Sequence, residues 1–155
     1  MSIRLKVGAV TLLVTAITYP VTFLVWPREV PAYAPATAQA LGYGLVAAES
    51  IAMGGGVAFL IFGYPSIMRL PVSPSLAFFS YLAISFYLLN WWTHDHLHVI
   101  ASTLSFDGWL RMTIALEYFF HAGMMIFGVV LALFFVRILV ARSTKEPSAD
   151  QLVTR

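Results

Sequence analysis

The sequence predicts an all-α integral membrane protein, a four-helix bundle with both termini in the cytoplasm. Three observations predict it. Hydrophobic residues make up 60% of the chain and charged residues only 10%, against about 25% charged in soluble domains. Four apolar runs are each long enough to cross a bilayer, which takes about 20 helical residues. The basic residues gather at alternate ends of those runs, where they act as topology signals.

The four spans are expected at about 7–26, 38–64, 75–104 and 109–140, making residues 1–141 one membrane domain and 142–155 a disordered cytoplasmic tail. The runs are too long, and alternate too little, for barrel strands of about 10 residues. Pro27, Pro31 and Pro35 stiffen the first link, and Pro65, Pro71 and Pro74 break the chain before the third span. Ser105-Phe106-Asp107-Gly108 has the composition of a turn between the last two spans. Ala36-Thr37-Ala38 resembles a signal-cleavage site, yet it lies too far beyond Trp26, and the apolar run before it is too long for a signal peptide.

Arg4, Lys6, Arg69, Arg137, Arg142, Lys145 and Arg155 fall on one side of this arrangement, and Arg28 and Arg111 on the other. The positive-inside rule therefore places both termini and the second link in the cytoplasm. Trp26, Trp91, Trp92 and Trp109 fall toward the outer side, as interfacial aromatics do. The expected location is the cell membrane, with lipid as the surrounding partner. No basic face interleaved with aromatics is present to bind nucleic acid. A bundle this small is expected to associate with a second copy or with another membrane subunit.

The absence of cysteine removes disulfides, thiolate metal sites, iron–sulfur clusters and cysteine nucleophiles together. Chemistry must then come from ionisable groups inside the spans, each of which is costly in a bilayer. His94 and His98 are four residues apart and share a helical face, with Asn90 one turn earlier; Glu117 and His121 are likewise four apart. The two pairs are equidistant from the Asp107-Gly108 turn, so an antiparallel hairpin sets them level. Glu49 lies about 17 Å into its own span and His121 about 20 Å into its own, at 1.5 Å per residue.

Glu49, His94, His98, Glu117 and His121 are therefore expected to form one centre in the outer half of the bundle, with Asn90 and Asp95 orienting its ligands. Imidazoles and carboxylates on facing helices suit a transition metal: iron, zinc, copper or manganese. Met53, Met124 and Met125 on nearby faces add weight to copper. Such a centre suits redox chemistry on a lipid-soluble substrate. Two other readings compete. The same groups can form a structural or proton-conducting network in a non-enzymatic subunit. A haem held by His94 and His121 is the third, and two buried acids count against it. His96 points away from the His94 face and is expected to meet solvent.

Gly54-Gly55-Gly56 lacks the lysine and strand setting of a phosphate loop, and reads as close helix approach or a bend. Pro20 is expected to kink the first span, with Thr15, Thr18 and Thr22 serving the freed backbone groups.

Overall fold

A computed structural model describes residues 2–25 and 35–143 of the chain. Among them the regular structure is entirely helical: α1 (Ile3–Val25), α2 (Ala36–Phe62), the short α3 (Tyr64–Ile67), α4 (Pro74–Ser102) and α5 (Phe106–Ser143). The expected stiff link around Pro27 and Pro31, the outward-facing Trp26 and Arg28, and the tail beyond residue 143 lie outside the described residues.

Three helices are long and apolar enough to cross a membrane: α1, α2 and the Phe106–Arg142 stretch of α5. The 29 residues of α4 are long enough too. Its apolar character is diluted by Asn90, His94, Asp95, His96 and His98 in its second half.

Helix ends follow local chemistry. Proline occupies the first turn of both α3 and α4, where its missing N–H costs nothing. Ser73 caps α4, its hydroxyl accepting from the Leu76 amide at 3.3 Å. α5 starts earlier than the turn composition predicts: Asp107 and Gly108 lie in its first turn, and the link from α4 shortens to residues 103–105. An acidic residue there favours the positive end of the helix dipole, so Asp107 begins a helix instead of making a turn. Pro20 lies inside α1. The threonines around it bond elsewhere than to the carbonyl it orphans. Thr18 Oγ1 donates to the Val14 carbonyl at 2.9 Å, and Thr15 Oγ1 reaches the Ser50 carbonyl of α2 at 3.1 Å.

The helices pack in a row. α1 lies on α2, α2 on α4, and α4 on α5, while α1 also touches α4. Among the described residues α5 packs on α4 alone. A closed bundle would set α5 against α1 as well, so within one chain the row has an open edge. Neighbours run antiparallel. Ile3 and Val7 of α1 share a groove with Phe62, Gly63 and Ser66. Pro71 and Ser73, before α4, share another with Arg137 and Val140 near the end of α5. The start of α1, the link through α3 and the end of α5 thus lie at one end of the molecule, with Arg4, Lys6, Arg69, Arg137 and Arg142. Arg111 lies toward the other.

The triple glycine sets the spacing of the row. A β-carbon on Gly54 would strike the Thr11 carbonyl oxygen of α1 and lie 2.6 Å from Thr15 Oγ1. One on Gly56 would lie 2.7 Å from Leu89 Cδ2 and 2.9 Å from Leu88 Cβ on α4. Two residues are about 200° apart on a helix, so these glycines serve opposite neighbours. Gly55 between them meets nothing within 4 Å. At the other junction Gly123 lies beneath the Phe86 ring, and Tyr87 donates to the Met124 carbonyl at 2.7 Å.

The three glycines should therefore differ sharply on substitution. Gly54→Ala and Gly56→Ala force backbone or core atoms apart and should cost about 1–3 kcal/mol, as overpacking does. Gly55→Ala should be neutral or stabilise by up to about 1 kcal/mol through helix propensity. Thermal unfolding of the three variants in one detergent checks this; a Gly54→Ala protein that melts with the parent would refute the tight α1–α2 contact.

Candidate metal centre

The polar half of α4 sends its side chains to two neighbours. His94 and His98, one turn apart, face α5. There Glu117 Oε1 lies 3.2 Å from His98 Nε2 and 3.9 Å from His94 Nε2. The two imidazoles meet each other at 3.1 Å through their Nε2 atoms. His94, His98 and Glu117 thus place one donor atom each within 4.8 Å of one another, and the group can hold a metal ion.

Contacts behind these donors fix which lone pairs point inward. His94 Nδ1 lies 3.1 Å from Asp95 Oδ1. A carboxylate accepts only, so Nδ1 carries the hydrogen and Nε2 is left with its lone pair facing His98 and Glu117. His121 Nδ1 sits 2.9 Å from the Glu117 carbonyl and 3.2 Å from Glu117 Oε2. Both are acceptors, so this nitrogen donates, holding one carboxylate oxygen and leaving Oε1 toward the imidazoles. The His94 ring also packs at a tilt on Phe120, with centroids 4.1 Å apart, and Trp91 packs on the same phenylalanine.

The other expected residues fall as follows. His121 touches Glu117 but is outside the three-residue group, and its side chain is 68% exposed. Glu49 is buried at 8% exposure in α2, which does not pack on α5, and is also outside the group. Asn90 makes no hydrogen bond to the group, and its Nδ2 is buried without a partner among the described residues. Met125 lies exposed on the far side of α5.

His96 departs from expectation: it is buried, at 6% exposure, not solvated. Two residues from His94, it points about 200° around the helix, toward α1. Its Nε2 lies 3.0 Å from Thr22 Oγ1, and its Nδ1 lies 2.6 Å from the Trp92 carbonyl, to which it donates. Trp92 Nε1 donates to the same Thr22 hydroxyl at 3.0 Å, and the indole and imidazole stack at 3.9 Å. The polar pattern of α1 carried the clue. Thr15, Thr18 and Thr22 line a stripe at helical spacing, and a hydroxyl at the outer end of that stripe is a partner for a histidine on the next helix.

Comparison of the chain with protein-family models, with curated proteins and with solved structures found no match. The class is therefore set by fold and site alone: an all-helical protein with three apolar helices able to span a membrane, carrying a His/Glu group between its last two long helices.

The two faces of α4 should separate experimentally. Thr22→Val removes the hydroxyl that accepts from Trp92 Nε1 and meets His96 Nε2, and should cost about 1–3 kcal/mol, the penalty for buried groups left unpaired. Its effect should appear in the melting temperature and not in the α4–α5 contacts. A Thr22→Val protein that melts with the parent would remove this network from the packing of α1 on α4.

Proposed function

We propose that this protein is a multi-pass membrane protein of the cell membrane that holds a non-haem transition metal ion between α4 and α5. In this reading α4 crosses the bilayer with the other three long helices, and both termini are cytoplasmic. His94 Nε2, His98 Nε2 and Glu117 Oε1 are the ligands. Asp95 orients His94 and His121 orients Glu117. Glu49 and Asn90 lie further from the ion.

The single observation carrying this reading is the convergence of three donor atoms backed by proton-accepting and proton-donating partners. A tetrahedral ion with bonds of 2.0–2.1 Å sets its donors about 3.3 Å apart. The His98–His94 and His98–Glu117 separations, 3.1 and 3.2 Å, are close to that edge length, and the His94–Glu117 separation is longer, 3.9 Å. A carboxylate behind a histidine is the usual support of a metal-bound imidazole, fixing its tautomer and raising its basicity. Two imidazoles and one carboxylate are the ligand set of His₂Glu zinc sites and of non-haem iron(II) centres, both of which keep positions open for water or substrate. Bound there, the ion would supply Lewis-acid or redox chemistry at an edge of the helix row that apolar molecules can reach from the bilayer.

The geometry favours a single ion over haem. Glu117 touches both His94 and His121, so a carboxylate stands where the macrocycle between two axial histidines would have to lie. A purely structural network is the remaining reading.

Metal content per chain, measured by elemental analysis on purified protein, tests the proposal. His94→Ala, His98→Ala and Glu117→Ala should each abolish stoichiometric metal. Asp95→Asn and His121→Ala should retain metal with affinity lower by about 10–100-fold, the usual effect of losing a supporting partner. His96→Ala should lose stability and keep its metal. Equal metal content in the His98→Ala and parent proteins, or none in the parent after growth with added iron, zinc, copper or manganese, would overturn the metal reading in favour of the network.

Topology has its own test. Tags at residue 1 and residue 155 should be inaccessible to protease from outside intact cells, and a tag between residues 103 and 105 should be cut. Cleavage of either terminal tag from outside would refute the proposed orientation.

A further inference from the structure

We propose that the groove between the start of α4 and the end of α5 holds one anionic phospholipid, its phosphate on Arg137 and an acyl chain along Leu76 and Leu133. The proposal rests on the reading that α4 and α5 cross a bilayer. It needs neither the metal nor a particular orientation.

Leu133, Arg137 and Val140, at helical spacing, form the wall contributed by α5. Val72, Ser73 and Leu76, from the link and the first turn of α4, form the other. The groove has a volume of about 760 Å³, within the range of about 300–1,000 Å³ for sites that hold one small molecule.

Two polar side chains interrupt the apolar walls, and both can donate. Arg137 makes no hydrogen bond or ion pair among the described residues. Ser73 Oγ accepts from the Leu76 amide and keeps its own hydrogen to give. No acidic residue lines the groove. The acidic residues among those described, Glu49, Asp95, Asp107 and Glu117, stand about 20 Å or more of helix from this end. Their place is taken here by Arg4, Lys6, Arg69 and Arg142. The anion that meets Arg137 therefore comes from outside the described helices.

Depth identifies that anion. Arg137 lies about 39 Å beyond Arg111 on an ideal helix. The hydrocarbon core is about 30 Å thick and the bilayer with its headgroups about 40–45 Å, so the two arginines fall in opposite headgroup layers. Leu133 is one turn nearer the membrane centre. Across the groove the order is the same. Tyr87 bonds to Met124, and the antiparallel register from that pair sets Ser73 level with Arg137 and Ile138, with Leu76 on the hydrocarbon side of them. From the two donors toward the membrane centre the walls are leucine, which is the order of a phospholipid's phosphate and acyl chain. In the proposed orientation this end meets the cytoplasmic leaflet, where anionic lipids concentrate and basic pockets between spanning helices bind their headgroups. A zwitterionic headgroup adds an ammonium for which the groove has no carboxylate.

Two other occupants match the groove less well. A second copy in the same orientation brings the same basic end to the same depth, like charge against like. Residues 144–155 carry Glu146 and Asp150, but Lys145 and Arg155 balance them.

Native mass spectrometry of the full-length protein in a neutral detergent counts the lipid retained per chain after addition of phosphatidylglycerol or of phosphatidylcholine with the same acyl chains. One phosphatidylglycerol should be retained, and phosphatidylcholine several-fold less. Glycerol phosphate at the same concentration should not displace the lipid. Arg137→Gln should lower retention at least about fivefold, the worth of one arginine at an anionic surface. Arg142→Gln, at the same end but outside the groove, should leave it unchanged. Leu133→Trp keeps the charge and fills the groove, and it should lose the lipid too. Leu133 is 55% exposed, so the larger ring disturbs no packed core, and helical circular dichroism checks that each variant folds. A chain ending at Lys145 should retain as much lipid as the parent. Equal retention of the two lipids, equal losses from Arg137→Gln and Arg142→Gln, full retention by Leu133→Trp, or displacement by glycerol phosphate would overturn the proposal. A several-fold rise in the chain ending at Lys145 would overturn it in favour of the tail as occupant. The measurement is made in detergent, so the tag experiment on orientation can fail while this one succeeds.

Discussion

Polar groups in the second half of α4 find their partners on two neighbouring helices and on α4 itself, and that requirement organises the helices around them. Trp92, His94, Asp95, His96 and His98 fall within two turns. Helical geometry sends Trp92 and His96 one way and His94 and His98 the other, so one neighbour cannot serve them all. α1 supplies the Thr22 hydroxyl on one side, α5 supplies Glu117 on the other, and Asp95 serves the ring beside it. α4 is consequently the hub on which both α1 and α5 close. α2 fills the remaining side, brought near by two glycines that present bare backbone to α1 and α4.

This arrangement also ranks the contacts by what they can tolerate. The α1–α2–α4 side relies on close backbone approach, on Thr15 bonded to a carbonyl of α2 and on Tyr81 bonded to the Leu60 carbonyl. Volume is the sensitive quantity there. The α4–α5 side relies on larger groups: Phe86 over Gly123, Tyr87 on Met124, Phe120 between Trp91 and His94. Direction is the sensitive quantity on that side, because three donor atoms must aim at one point.

Much of this is legible in the sequence, for physical reasons that can be named. Apolar runs longer than a strand can use mark the helices, and proline clusters mark the break before α4. The i, i+4 spacing of His94 with His98, and of Glu117 with His121, is a geometric statement whichever residues surround it. The proximity of His94, His98 and Glu117 follows from a short link between antiparallel helices. Other features were not legible. Asp107 and Gly108 have turn composition, yet the helix dipole draws Asp107 into α5. His96 reads as solvated because periodicity gives only the direction of a side chain, not what stands there. Glu49 reads as level with the histidines because depth along a helix says nothing about lateral order, and lateral order separates α2 from α5. Asp95 differs from these: the sequence offers it as a residue that orients a ligand, and although periodicity turns it off the His94 face, its short side chain reaches back along the helix surface to His94.

The link of residues 103–105 bears on how such a chain enters a bilayer. A charged side chain costs about 2.5–3.5 kcal/mol at the centre of an inserting helix, and α4 presents its polar residues before α5 has been made. Three residues are too few to let the two helices part. In the proposed four-span topology α4 would therefore leave the insertion machinery together with α5, as a hairpin with Glu117 against His98. Biosynthesis in that topology would have a built-in order, in which the helix costliest in lipid is admitted only together with its partner helix.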